Sequence, residues 1–221
     1  MGLSAELRAA ADPIWRAQRS HPFLRGIEDG TLAPERFAFY MRQDYRFLID
    51  YARALALGAA RAPELRTMTR FAELAREVLV TEMALHRSFA ASLGITEDEL
   101  QVERAAPATQ GYADFLVRTA AQGDFGELVV ALAPCMWGYA ELGQGIAARG
   151  RPPVEHYARW VDMYASPEFG ELADWCRGLV DHVGERLSDG GRAPLESAFQ
   201  TSSCHELAFW EMAWRGGGRA R

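Results

Sequence analysis

The chain has 221 residues, enough for one domain with a sizeable core. Its 30 acidic residues outnumber the 24 lysines and arginines, a formal charge of −6, so nucleic acid is excluded as a main partner. With 49% hydrophobic and 24% charged residues, three cysteines and no apolar run near the roughly 20 residues a bilayer needs, the composition also excludes a disordered chain, a membrane span and a disulfide framework. The opening MGLSAELRAAADPIW carries charge too early for a secretory signal, which predicts a cytoplasmic protein with free thiols.

The pattern is helical nearly throughout. A first helix is predicted from about Ser4 to Arg19, ending before His21-Pro22. A second runs from Pro34 to about Arg61. Leu65, Met68, Ala72, Leu74, Ala75, Val78, Leu79, Leu85, Phe89 and Leu93 recur every three or four residues and mark one long amphipathic helix, started at Pro63 and stopped at Gly94. Thr96 with Glu99 spells a capping box for a short helix. Further helices are predicted from Thr109 to Gln122, from Asp124 to Arg149, from Pro153 to Tyr164, from Ser166-Pro167 to Leu187 and from Pro194 to Trp214. No linker separates two domains, so residues 1–214 read as one all-α bundle of about seven or eight helices, with 215–221 as a disordered tail.

Five segments put polar chemistry where helices should be apolar. Asp44 shares a face with Phe37, Tyr40, Phe47, Leu48 and Tyr51. A carboxylate there must find a positive group or hydrogen bonds, so it is either half of an internal salt bridge or a holder of a basic ligand. Cys135 lies mid-helix with Tyr139, Leu142 and Ile146 on its stripe. A lone buried cysteine usually acts as a small hydrophobe, but Pro134 beside it frees the carbonyl of Val130, bends the helix and can open room for a ligand. Cys176 and Cys204 have no such company and read as packing residues. Tyr157, Trp160 and Tyr164 form an aromatic stripe, either core or the wall of a polar pocket. Glu206 precedes Phe209, Trp210 and Ala213 on an apolar face, either at its edge or buried as a proton carrier. Glu82 and His86 stand one turn apart, a spacing that can bind a metal or hold a hydrogen bond behind a ligand-contacting residue. His21, His156, His182 and His205 form no cluster with them.

Together these segments resemble the TenA family of thiaminase II, or aminopyrimidine aminohydrolases. The resemblance runs from HPF at His21 through QDYRFL at Asp44, EMALHR at Glu82, PCMWGY at Cys135 and the Trp160–Tyr164 pair to E-x-x-FW-x-x-A at Glu206. Six motifs in the family's order cover almost the whole chain. The resemblance implies a heme-oxygenase-like helical bundle and the cysteine-bearing branch of the family. It implies Cys135 as nucleophile, with Asp44, Tyr112, Tyr139, Tyr164 and Glu206 as pocket residues and Phe47 where the family has an aromatic. Glu82 falls outside the contacting set, and His205 departs from an expected aromatic.

The implied activity is hydrolysis in thiamin salvage. It would release 4-amino-5-hydroxymethyl-2-methylpyrimidine from the 5-aminomethyl analogue or from thiamin. It would use no metal and no organic cofactor, with a small-molecule pyrimidine as the partner and a homotetramer as the assembly. The implied roles are thiolate addition by Cys135, ring protonation by Glu206 and substrate orientation by Asp44. Two other readings stay open at this point. One is a metal-dependent oxygenase on the same bundle, using Glu82 and His86; the other is a pyrimidine-binding or regulatory protein without turnover.

Overall fold

The computed structural model describes residues 2–187 and 191–216 and is helical, with no strand among them. In chain order the helices are α1 (Leu3–Ala10), α2 (Asp12–Arg19), α3 (Pro22–Asp29), α4 (Pro34–Arg61), α5 (Leu65–Glu77) and a π-helical stretch, Val78–Glu82, that leads into α6 (Met83–Ser92). They continue as α7 (Glu97–Val102), α8 (Pro107–Gln122), α9 (Phe125–Ala147), α10 (Glu155–Tyr164), α11 (Pro167–Glu185) and α12 (Arg192–Gly216).

Local chemistry sets most boundaries. Proline opens α3, α4, α8 and α11, where its missing N–H costs nothing. The expected capping box at Thr96 and Glu99 is present with both bonds. Asp124 and Glu127 exchange backbone-to-carboxylate bonds of 2.7 Å at the start of α9. Gly94 takes a left-handed φ of 76° just after α6, the stop read from the sequence.

Three expectations are corrected. The first expected helix is two, because Pro13 near the start of α2 cannot continue the hydrogen-bond ladder from α1. A further helix, α3, follows His21, whose Nδ1 accepts the Phe23 N–H at 3.2 Å and so caps it. The long helix after Pro63 is interrupted by the π stretch. The helices are therefore shorter and more numerous than expected. The last helix takes in Arg215 and Gly216, the first two residues of the expected tail; the others lie outside the described residues.

The chain divides into two compact units, Met1–Leu32 with Val129–Glu211, and Ala33–Leu128 with Met212–Arg221. In the first, α1 packs on α2 and α11, and α10 packs on α11. In the second, α4 is the central element and packs on α5, the π stretch, α6, α7 and α8. No helix among the described residues is long and apolar enough to cross a membrane.

Candidate active site

In the second unit the aromatic face of α4 is buried as its spacing required, and Asp44 is only 4% exposed within it. Its Oδ2 takes two bonds, from the Tyr40 hydroxyl at 3.2 Å and with Nε2 of His86 at 2.7 Å. His86 is 2% exposed, and its Nδ1 lies 2.9 Å from the backbone carbonyl oxygen of Glu82. Asp44 therefore has an internal partner in His86, one of the two possibilities its burial raised. Burial alone would push the His86 pKa down. The hydrogen bond and charge of Asp44, with the charge and carbonyl of Glu82, outweigh burial and raise it. Burial drives the Glu82 carboxyl up to about 7, with Asp44 adding to the rise and His86 opposing it.

The π stretch explains how His86 reaches Asp44. The buried positions step regularly through Phe71, Leu74, Ala75 and Val78, then jump five residues to Met83, His86, Phe89 and Ala90. An unbroken α-helix would have continued through Glu82 and Leu85. One inserted residue rotates the face so that the imidazole points inward. The same rotation and the helix's position leave Leu79 exposed, along with Leu65 and Met68, all three expected in the apolar stripe.

Gln43, next to Asp44, fixes the entry to α8. Its Oε1 accepts from the Ala106 N–H and the Thr109 hydroxyl, both at 2.8 Å, and its Nε2 donates to the Arg104 carbonyl at 3.0 Å. Arg61 donates to the carbonyls of Ala120 and Gly123 at the other end of α8. Held at both ends, α8 stacks Tyr112 on Phe47 with centroids 4.8 Å apart, and Phe47 also stacks on Tyr51.

In the first unit, Pro134 lies inside α9 and Cys135 follows it, partly exposed. The Ser202 hydroxyl donates to the Ala131 carbonyl at 2.6 Å, four residues before the cysteine. Ser203 accepts from Trp15 Nε1 at 3.0 Å, and its carbonyl accepts from Gln18 at 3.1 Å. These bonds set α12 against α2 and α9. One turn after Ser202, Glu206 is 3% exposed, so it is a buried carboxyl rather than an edge residue. Tyr139 meets Tyr164 at 4.7 Å, Trp210 at 5.3 Å and Trp160 at 6.1 Å. Gly143 permits this approach, since a Cβ there would lie 2.7 Å from the backbone and Cβ of Tyr164.

The three thiols differ. Burial pushes Cys176 up to about 12, so it is inert at neutral pH, as a packing residue should be. Cys204 is exposed, which corrects its reading as a packing residue: it falls on the outer side of α12, between the inward-facing Ser203 and Glu206. His205 is partly buried, and burial lowers its pKa, so it tends to stand neutral beside Glu206.

The structure thus brings Asp44, Phe47 and Tyr112 together in one unit, and Cys135, Tyr139, Tyr164 and Glu206 fall in the other. The residue that sequence reasoning left without a role is His86. Its spacing from Glu82 was visible, but its partner Asp44 is 42 residues away. Among the described residues no group of three or more His, Cys, Asp or Glu side chains stands together as a metal cluster.

Known proteins resemble this chain over nearly its whole length. The sequence profile of the TENA/THI-4/PQQC family matches residues 8–216. A relative from Halalkalibacterium halodurans, called aminopyrimidine aminohydrolase, is 42% identical over 217 residues, 97% of this chain and 96% of its own. A solved structure of a TenA homologue from P. horikoshii superposes with a TM-score of 0.92 at 33% identity, covering 99% of this chain and all of that one. A domain from Shewanella denitrificans with a heme oxygenase-like fold, 15% identical, superposes at 0.73 over 97% of this chain and 91% of its own, a likeness of fold alone.

Proposed function

We propose a function on one premise: this chain belongs to the TENA/THI-4/PQQC family. It is an enzyme, an aminopyrimidine aminohydrolase that acts on thiamin-related pyrimidines. It releases 4-amino-5-hydroxymethyl-2-methylpyrimidine from the 5-aminomethyl analogue or from thiamin. The full-length likeness to the H. halodurans enzyme carries this reading. Two buried carboxyls among aromatic rings, and a partly exposed thiol next to a helix-interior proline, support it.

The chemistry divides one hard displacement into two easier steps. The Cys135 sulfur adds as thiolate to C6 of the pyrimidine while Glu206 gives a proton to a ring nitrogen. The ring electrons then expel the group on the C5 methylene, and the breaking bond's pair leaves with it, as ammonia from the protonated aminomethyl group or as neutral thiazole from thiamin. Water adds to the exocyclic methylene and gives one proton to the released base or to solvent, the ring proton returns to Glu206, and the C6–sulfur bond breaks to restore the ring. Asp44 orients the amino-pyrimidine and the departing amine. Tyr112, Tyr139 and Tyr164 contact the ring, and Phe47 packs against it. No metal or organic cofactor takes part. The enzyme works in the cytoplasm as a homotetramer; the exposed Leu65, Met68, Leu79 and Val80 on α5 and the π stretch are apolar side chains that a second copy could cover.

The test is turnover of both candidate substrates by the wild type and by Cys135→Ser. Ammonia release from the aminomethylpyrimidine, lowered about 10³-fold or more in Cys135→Ser with pyrimidine binding retained, is the expected result. Cys176→Ser and Cys204→Ser keep near-wild-type turnover. A Cys135→Ser enzyme as fast as the wild type removes the thiol from the reaction.

A further inference from the structure

Nδ1 of His86 faces the Glu82 carbonyl oxygen at 2.9 Å, and a carbonyl can only accept, so Nδ1 carries a hydrogen. A neutral imidazole would then turn a bare Nε2 lone pair toward the Asp44 oxygen 2.7 Å away. Two acceptors do not meet at that distance inside a protein. One proton must therefore lie in the bond between Nε2 and Oδ2. Asp44 is consequently not an isolated carboxylate but half of a pair with no net charge. Both of its described bonds, from Tyr40 and His86, fall on Oδ2.

We propose that His86 is a positioning residue of the reaction: as an imidazolium it ties down Oδ2 of Asp44 and presents Oδ1 as the acceptor for the substrate's amino hydrogens. The proposal rests on the aminopyrimidine reading above for the identity of the substrate. The pair itself does not depend on that reading. The direction of the His86 shift, upward, agrees with an imidazolium held by Asp44. Two other titratable groups face the pair. Tyr40 on α4 donates its hydroxyl, and Glu82 on the π stretch adds negative charge once it ionises, which holds the imidazolium more firmly. On α7, which also packs against α6, Glu97 instead pairs with Arg87, at 3.9 Å.

The consequence is specific. Removing the imidazolium takes away the partner that fixes Oδ2 of Asp44, so Oδ1 is no longer held toward the substrate's amino group. In His86→Gln, which keeps an N–H donor but no charge, KM for the aminomethylpyrimidine rises more than kcat falls. A merely structural histidine would lower the amount of folded enzyme and leave KM unchanged.

The experiment has two arms. The first follows the His86 ring nitrogens of the substrate-free enzyme by NMR across pH, in wild type and Asp44→Asn. A doubly protonated ring at pH 7 that becomes neutral at that pH in Asp44→Asn is expected. A neutral ring in the wild type, or a titration that Asp44→Asn leaves unmoved, overturns the proposal without reference to any substrate. The second arm measures kcat and KM for wild type and His86→Gln. An unchanged KM overturns the positioning role. A wild type that turns over neither pyrimidine overturns the functional reading and this role with it, and the first arm tells that failure apart from the absence of the pair.

Discussion

Gly143 offers a test of how tightly the first unit's aromatic cluster is set. A Cβ at this position would stand 2.7 Å from the Tyr164 carbonyl carbon, 2.7 Å from its Cβ and 2.9 Å from the Ala165 nitrogen. Carbon atoms in contact prefer about 3.5–4.0 Å, so α10 must retreat by about 1 Å in Gly143→Ala. The obstacle is backbone, which cannot swing aside as a side chain can. Overpacking of this kind costs about 1–3 kcal/mol, while replacing a helical glycine by alanine returns about 1 kcal/mol. Gly145, in the same helix, provides the control. Its Cβ would meet only the tip of Arg149, at 3.9 Å, so Gly145→Ala should keep the propensity gain without the clash. Both variants gain equally from propensity, so their difference isolates the steric term. Gly143→Ala should therefore melt about 2–12 °C below Gly145→Ala, at about 2–4 °C per kcal/mol for a chain of this size. The retreat of α10 also widens the 4.7 Å spacing of Tyr139 and Tyr164, so KM should rise more than kcat falls. Calorimetry and steady-state kinetics on the two variants suffice. A Gly143→Ala protein as stable as Gly145→Ala would show that the approach of the two helices carries no constraint.

Two further outcomes concern Glu206, which is buried, and Glu82, which is half-buried. Glu206→Gln keeps shape and some hydrogen bonding but cannot carry a proton, so kcat should fall about 10²–10⁴-fold with a smaller change in KM. The limb of the wild-type rate profile that reports this proton should also vanish; an unchanged kcat with the same limb assigns the proton to another group. Glu82 has a folded pKa of about 7 against an ordinary 4.5, so the native state holds a proton that the unfolded chain releases, and stability is lost as pH rises from about 4.5 to 7. Between those limits Glu82→Gln should gain about 1–3 kcal/mol relative to wild type in urea unfolding, and a constant difference between the two proteins across that range would contradict the burial argument.

The sequence made the helical class legible because helix punctuation is local chemistry. Pro34, the Thr96–Glu99 box, Gly94 and the Asp124–Glu127 pair each act within one turn, and each holds in the structure. Asp44 was legible as a carboxylate on an apolar face for a similar reason, since that face lies on its own helix, whereas the pattern around Glu206 fitted an edge position as well as the buried one it takes. The Asp44–His86 bond was not legible, because it depends on α6 meeting α4 and on the phase of α6. A five-residue step leaves no mark in VLVTE that periodicity can read, and the regular stripe pointed to Leu79 and Leu85 instead. The exposure of Cys204 was missed in the same way, since its position on α12 is fixed by the inward turn of Ser202 and Ser203 toward α9 and α2.

Both clusters use the same physical device. A regular α-helix fixes where each side chain points, at 100° per residue, and a residue that must face elsewhere can be aimed only by breaking the ladder. In the second unit the break is the π stretch, and it turns His86 rather than Leu85 toward Asp44. In the first it is Pro134, which removes the N–H that would have bonded to the Val130 carbonyl one residue before Cys135. Each break carries a cost, about 3 kcal/mol for an interior proline, that packing elsewhere in the helix must offset. The buried side chains of α9 and the hydroxyl of Ser202 on the Ala131 carbonyl supply part of that offset, and the buried Phe71, Leu74, Phe89 and Ala90 do so along α5 and α6. π-helical breaks inside α-helices are frequent at functional sites. Here one break stands next to the Cys135 thiol and the other just before the His86 imidazole, the two groups to which chemistry is proposed above.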